Sequence, residues 1–286
     1  INAVMFLEDA APHPSLRSCI LSLHKNRISA DELHAATAFI HSTRYIGHRI
    51  LINSLNDSDA AFVIVAYLVE YLDMDLPNAY TLLANQYYMA KLPVTWLRVM
   101  VDSLGLSYSD RNLYNPYFME SLVSSVINGI SAVHHGIYVS GIHALAHSER
   151  ARRMGVRAVL RVDSEDRSFR QWASDFLLHD MPLIDGAEVP GERLSEAAAF
   201  IHGSLDSGLK VLVHCQMGVS RSVTMVLAYL IEYENMSLPD AVRLVVRRRA
   251  VAAPHRAMLR SLVQHYNLPY SLDETQKFDF FNQLLR

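Results

Sequence analysis

Two patterns of apolar residues alternate along the chain. Short, largely apolar runs such as Val211-Leu212-Val213, Val156 to Val162 and Gly136-Ile137-Tyr138-Val139-Ser140 predict strands. Longer stretches with helical spacing separate them. Glu192 to Leu205 and Val223 to Tyr233 predict helices, and His143 to Met154 predicts one that stops at Gly155, a residue free to take the left-handed conformation. Leu238-Pro239-Asp240 opens a further helix, with proline early and an acid near the positive end. Ala253-Pro254-His255 opens the next. Strands alternating with helices predict an α/β fold whose central, mostly parallel sheet is flanked by helices. Ligands in such folds sit at the carboxyl ends of the strands.

The pattern repeats itself. Ala66-Tyr67-Leu68-Val69-Glu70-Tyr71 nearly reproduces Ala228-Tyr229-Leu230-Ile231-Glu232-Tyr233, and the register continues through Met74 and Met236, Leu76-Pro77 and Leu238-Pro239, and Ala79 and Ala241. Ala38-Phe39-Ile40-His41 answers Ala199-Phe200-Ile201-His202 upstream, and Tyr108-Ser109 answers Tyr270-Ser271 downstream. The expectation is a tandem of two domains, 1–112 and 113–286, joined within the Ser-, Asp-, Asn- and Pro-containing stretch 107–116. The strand Ala3 to Leu7 corresponds to Ala158 to Val162. The first copy is therefore expected to lack the counterpart of residues 113–155, its beginning lying before Ile1.

With 286 residues, 51% of them hydrophobic and 19% charged, the chain can bury a core in each half, and a net charge of −3 gives no reason to expect nucleic acid as a partner. Its two cysteines, Cys19 and Cys215, are too few for a disulfide framework and fit a reducing compartment. Cytoplasmic localisation is the expectation, subject to whatever precedes Ile1. The longest apolar run, Ala60 to Val69, is too short to span a bilayer.

Candidate chemistry concentrates in His214-Cys215-Gln216-Met217-Gly218-Val219-Ser220-Arg221-Ser222, between a predicted strand and a predicted helix. A free thiol is mostly protonated at neutral pH, but a helix N-terminus and a guanidinium both favour the thiolate, and Cys215 has both nearby. Backbone N–H groups left unpaired where a helix begins can bind phosphate oxygens, and Gly218 lets the loop curl. Arg221 adds a planar fork of donors suited to two of those oxygens. The spacing puts the Ser222 hydroxyl near the sulfur, where it can stabilise a departing thiolate.

The loop and the helix after it resemble the cysteine-dependent dual-specificity phosphatases, whose signature is His-Cys-x-x-Gly-x-Ser-Arg-Ser followed by an Ala-Tyr-Leu-containing helix. Every signature residue is present, and the resemblance covers roughly residues 113–270. It implies hydrolysis of phosphotyrosine and phosphoserine or phosphothreonine through a phosphocysteine intermediate. Cys215 would be the nucleophile, and Gln216, Met217, Gly218, Val219, Ser220 and Arg221 the phosphate cradle, with His214 supporting it from behind. No metal or other cofactor is required.

Such chemistry needs an acid to protonate the leaving oxygen and afterwards a base to activate water. Asp185 follows the apolar segment Phe176 to Ile184, lies thirty residues before Cys215 and matches the family's general-acid loop. Asp180 and Asp175 are rivals by distance, but they fall in or before the strand expected at Phe176-Leu177-Leu178. One position departs from the family. The proline at the start of the penultimate helix is commonly followed by asparagine, which helps hold the phosphate loop, whereas here it is His255. This histidine could donate the same hydrogen bond or cap the helix.

The first copy keeps none of this chemistry. Asn53-Ser54-Leu55-Asn56-Asp57-Ser58-Asp59-Ala60-Ala61 stands where the second has His214 to Ser222, without cysteine, glycine or arginine. Ser54 falls at the cysteine position with no activating cation beside it, and Asp57 and Asp59 would repel a phosphate. Leu23-His24-Lys25-Asn26 replaces the acid loop. The first domain is expected to be a pseudophosphatase that docks a protein partner or braces its neighbour.

The substrate is less legible. Lipid phosphatases of the superfamily tend to carry lysines in the loop, where this chain has Gln216, Met217 and Val219, so a phosphoprotein is favoured. A phosphoinositide, phosphoglucan or RNA 5′-phosphate, or a vestigial phospho-binding scaffold, are the alternatives. The tract Arg243, Arg247, Arg248 and Arg249 reads as a solvated helix end rather than a substrate site. His134, His135, His143 and His147 read as surface histidines rather than metal ligands, since no acidic or cysteine ligand accompanies them.

Overall fold

The structure is a computed structural model that describes residues 3–6, 17–20, 28–54, 57–86, 92–142, 148–164, 176–277 and 279–285. His143, His147, Asp175, residues 23–26 and the side chains of Cys19 and Asp57 lie outside that description. Two compact units divide the chain, Ile1–Val123 and Ser124–Arg286.

In the first unit β1 (Ala3–Phe6), β2 (Arg17–Ile20) and β3 (Ile50–Asn53) form a parallel sheet in the order β2-β1-β3 among the described residues. Ser29 starts α1 (Ala30–Tyr45) with a capping box: its hydroxyl accepts from the Glu32 N–H, and the Glu32 carboxylate accepts from the Ser29 N–H. Next come α2 (Asp57–Leu72), α3 (Leu76–Gln86), α4 (Val94–Ser103), α5 (Asp110–Leu113) and α6 (Phe118–Ile127), the last of which runs into the second unit. Glu70 on α2 accepts from the Thr37 hydroxyl and pairs with His34, tying α2 to α1. In the core Phe62 meets Trp96 edge to face, an arrangement that suits the ring quadrupoles. Their centroids are 5.3 Å apart.

The second unit holds a mixed sheet in the order β4-β5-β8-β6-β7. β4 (Ile130–His134) and β5 (Ile137–Ser140) form an antiparallel hairpin, while β5, β8 (Lys210–His214), β6 (Val156–Arg161) and β7 (Leu177–Asp180) run parallel. Gly136 turns the hairpin at φ 72°, where a Cβ would lie 2.8 Å from Leu205. Only glycine takes that conformation without strain. Val211-Leu212-Val213 and Ala158-Val159-Leu160 are fully buried, as expected of parallel strands covered on both faces.

Around this sheet lie α7 (Ser148–Arg153), α8 (Gly191–Asp206), α9 (Arg221–Glu232), α10 (Leu238–Arg248), α11 (Arg256–His265), α12 (Leu272–Gln276) and α13 (Phe280–Leu284). Of the helix expected over 143–154, the described part is α7, which stops before Gly155 at φ 84°. Among the described residues, no helix is long and apolar enough to cross a membrane.

Strand register decides where the site can be. Ser140, His214, Arg161 and Asp180 are successive partners across β5, β8, β6 and β7, forming one row at the carboxyl edge. The loops leaving that row all emerge on the same side of the sheet.

Candidate active site

β8 ends the row at His214, the loop Cys215 to Ser220 follows, and α9 begins at Arg221. The Cys215 sulfur accepts from the Gly218 N–H at 3.2 Å and lies 3.3 Å from the Ser222 hydroxyl, so the loop curls over its own first residue. Gly218 has φ 68°, and a Cβ there would lie 2.5 Å from the Ser140 backbone and from Arg249. Both the turn and the close approach require glycine. Cys215 and Ser222 are buried, and Met217 stands exposed at the rim.

Arg221 is also buried, and its guanidinium reaches the acid loop. Nη1 donates to the Leu183 carbonyl at 3.3 Å, and Nε lies 3.4 Å from a carboxylate oxygen of Asp185. The Asp185 side chain is 59% exposed and follows the exposed Ile184. Its loop is held at the stem, where Met181 N–H donates to Arg161 and Leu183 N–H to Val162, both at the end of β6. The loop therefore carries an accessible carboxylate on an anchored base. Asp180 sits at the end of β7 instead and pairs with Arg161 at 2.7 Å.

Beneath the loop lies a charged group that the sequence reading missed. Arg161 bonds Asp163 at 3.2 Å, and the second Asp163 oxygen is 3.6 Å from His214 Nδ1, with Asp163 and His214 both fully buried. Buried charges survive only when paired. The hint available beforehand was the pair of charges in the ending Arg161-Val162-Asp163, directly after the apolar Ala158-Val159-Leu160. His214 is thus held from behind as well as by the main chain, its carbonyl accepting from Val162 N–H at 2.9 Å.

His255 resolves into the capping alternative. Its ring Nδ1 accepts from the Ala257 N–H at the start of α11, and it is the His255 backbone N–H that donates to the Ser220 hydroxyl, at 2.9 Å. Gly186, next to Asp185, lies against the imidazole.

The reading of the arginine tract as solvated fails for Arg249, which is fully buried. Nε donates to the Gly218 carbonyl at 2.6 Å and Nη2 to that of Met217 at 3.1 Å, while Nη1 donates to the Val126 carbonyl and the Ser131 hydroxyl, both at 3.0 Å. Burial lowers its pKa to about 10 against the attraction of Cys215. The missed signal was periodicity. The apolar stripe of α10 runs through Leu238, Ala241, Val242, Val245 and Val246, and one further turn brings Arg249 to the same face.

A buried cysteine in a loop at a helix N-terminus, with an arginine opening that helix and a carboxylate across from the arginine, defines a cysteine-based phosphatase. The family described as dual specificity phosphatase, catalytic domain, matches residues 137–268. Dual specificity protein phosphatase 26 of Bos taurus is 30% identical over 161 residues, which are 52% of this chain and 74% of that protein. The candidate tyrosine phosphatase 123R of Invertebrate iridescent virus 6 is 41% identical over 72 residues, and the match spans 25% of this chain and about half, 51%, of the viral protein. Among solved structures, human DUSP28 is similar with a TM-score of 0.45 and 24% identity, over 48% of this chain and 93% of that one. The chain belongs to the dual specificity phosphatase family.

Proposed function

We propose that this phosphatase acts on phosphoproteins, removing phosphate from tyrosine and from serine or threonine, and that it works through a phosphocysteine intermediate. The observation that carries the reading is the sulfur of Cys215, seated at 3.2 Å from an inward-pointing loop N–H and 3.3 Å from a hydroxyl, with Arg221 and Asp185 adjacent to each other nearby. In this reading the Cys215 thiolate attacks phosphorus and forms the S–P bond as the O–P bond to the substrate breaks. Asp185 gives its proton to the leaving oxygen. The same carboxylate then takes a proton from water as that water attacks phosphorus, and the thiolate departs toward the Ser222 hydroxyl. Arg221 and the loop N–H groups hold the three phosphoryl oxygens while charge builds on them.

We also propose that the two units are copies of one domain and that the first is catalytically silent. Support comes from details beyond the shared order of elements. Met74 N–H donates to Leu68 O and Met236 N–H to Leu230 O, Leu106 N–H to Val101 O and Leu268 N–H to Val263 O. His41 stacks on Tyr71 as His202 does on Tyr233, and Tyr108 meets Phe118 edge to face as Tyr270 meets Phe280. The first unit then serves as a docking or bracing element, and cytoplasmic localisation goes with this reading.

Hydrolysis of para-nitrophenyl phosphate in metal-free, reducing buffer by the native chain and by Cys215→Ser tests the mechanism. Activity lost in the variant is the expected result, and activity retained removes the cysteine from it. A panel of phosphopeptides, phosphoinositides, phosphoglucan and 5′-phosphorylated RNA tests the substrate class. Turnover of the phosphopeptides alone is expected, and turnover confined to any of the others replaces the phosphoprotein reading.

A further inference from the structure

We propose that Arg249 is a positioning residue for phosphate binding, aiming the N–H groups of the catalytic loop at the substrate without touching it; this rests on reading the loop as a phosphatase site. In a trans peptide the carbonyl of one residue and the N–H of the next point to opposite sides, so a group that fixes a carbonyl also aims the following N–H.

Four successive carbonyls of the loop are held from outside. Gln216 O accepts from Ile142 N–H at 3.0 Å and Val219 O from Ala253 N–H at 2.9 Å, both ordinary backbone bonds. The two between them, at Met217 and Gly218, are held by Arg249 through Nη2 and Nε. Fixing Met217 O directs the Gly218 N–H, which is the group seen 3.2 Å from the Cys215 sulfur. Fixing Gly218 O directs the Val219 N–H in the same way. The opposite edge of the guanidinium is anchored at Val126 O and Ser131 Oγ, where the chain enters β4. One planar cation thus ties the outer turn of the loop to the rim of the sheet, with donors on two edges that a lysine does not have. Its positive charge lies close enough to Cys215 to interact with it favourably. A helix stripe continued by a buried cation at an energetic cost points to this use.

The test compares the native chain with Arg249→Lys and Ser131→Ala, measuring inhibition by orthovanadate, kcat and KM with para-nitrophenyl phosphate, and Tm. Assays run below the melting transition of each protein. For Arg249→Lys the expected result is vanadate inhibition weakened at least about tenfold, with kcat/KM lowered to a similar extent. Ser131→Ala, which loosens only the anchor, should weaken vanadate by about two- to fivefold at nearly unchanged Tm. A purely structural role would lower Tm and leave the vanadate constants of the folded variants within about twofold of native, and that result overturns the proposal. If Arg249→Lys does not fold, Ser131→Ala decides alone, native vanadate affinity again overturning the proposal. A folded native chain that neither turns over the ester nor binds vanadate overturns the phosphatase reading, and the positioning role with it.

Discussion

The carboxyl edges of the two sheets hold rows of residues that differ in character. In the second unit Asp180, Arg161 and His214 face one another across β7, β6 and β8, and a charged group assembles there beneath the catalytic loop. In the first unit Ile20, Phe6 and Asn53 hold that register across β2, β1 and β3. The cores beneath the loops differ in the same sense. Thr224 and Met258 pack against each other and both contact Ser220 of the Cys215 loop, whereas α2 and α4 of the first unit bring together Phe62 and Trp96, an aromatic pair. Under the proposal that the two units are copies, a domain with no polar loop to hold can fill that space with carbon. If the units are copies, as proposed, the first keeps the packing of its helices without the chemistry of the loop.

The sharpest test of this contrast is to exchange nucleophiles. Cys215→Ser is expected to lower turnover of para-nitrophenyl phosphate by at least about 10⁴-fold. Adding Ser54→Cys to that variant should restore nothing, because Ser54 has neither an arginine nor a glycine-turned loop in its sequence. Hydrolysis by the double variant would show that the first unit is not silent.

Removing the acid comes next in size. Asp185→Asn should slow alkyl phosphates by about 10²- to 10³-fold while affecting activated aryl esters much less, measured as kcat across a series of leaving groups. A uniform loss across the series, or an equal loss from Asp180→Asn, would move the acid to another residue.

The aromatic filling makes a prediction about stability. Trp96→Ala is expected to destabilise the first unit by about 3 to 5 kcal/mol, read by hydrogen exchange in α2 and α4. Unchanged exchange there would contradict the picture of a core rebuilt around Phe62 and Trp96.

The smallest effect separates two matched helix caps. Ser109 caps α5 with Asn112 as its reciprocal partner, and Ser271 caps α12 with Glu274. Each serine contributes about 1 kcal/mol through its cap. Hydrogen bonds from the Ser271 backbone and then its hydroxyl lower the pKa of Glu274 below the usual glutamate value. A carboxylate depressed by folding stabilises above its unfolded pKa and loses that contribution as pH falls through the folded one. The difference between native and Glu274→Gln stability should therefore be present at neutral pH and fade below the ordinary glutamate range, whereas the Asn112 cap should show no such dependence. Parallel acid profiles for Glu274→Gln and Asn112→Ala would remove the distinction.

What the sequence determined by itself was everything local. Short apolar runs set the strands of the second unit, capping residues and prolines set the starts of α10 and α11, and the ordered spacing of Cys215, Gly218, Arg221 and Ser222 marked the loop between β8 and α9 as the candidate site. The likeness between segments 66–71 and 228–233, on which the proposed duplication rests, is likewise a matter of neighbouring residues. Tertiary structure decided the groups that meet across the fold. Arg249 reads as the end of a basic tract until packing brings the 126–131 segment and the loop carbonyls around it, and Arg161, Asp163 and His214 become a group only when β6 and β8 pair in one register. The α10 stripe shows which face Arg249 shares, but whether a charged side chain there is solvated or buried, and what pairs with it, depends on what the rest of the chain folds against it.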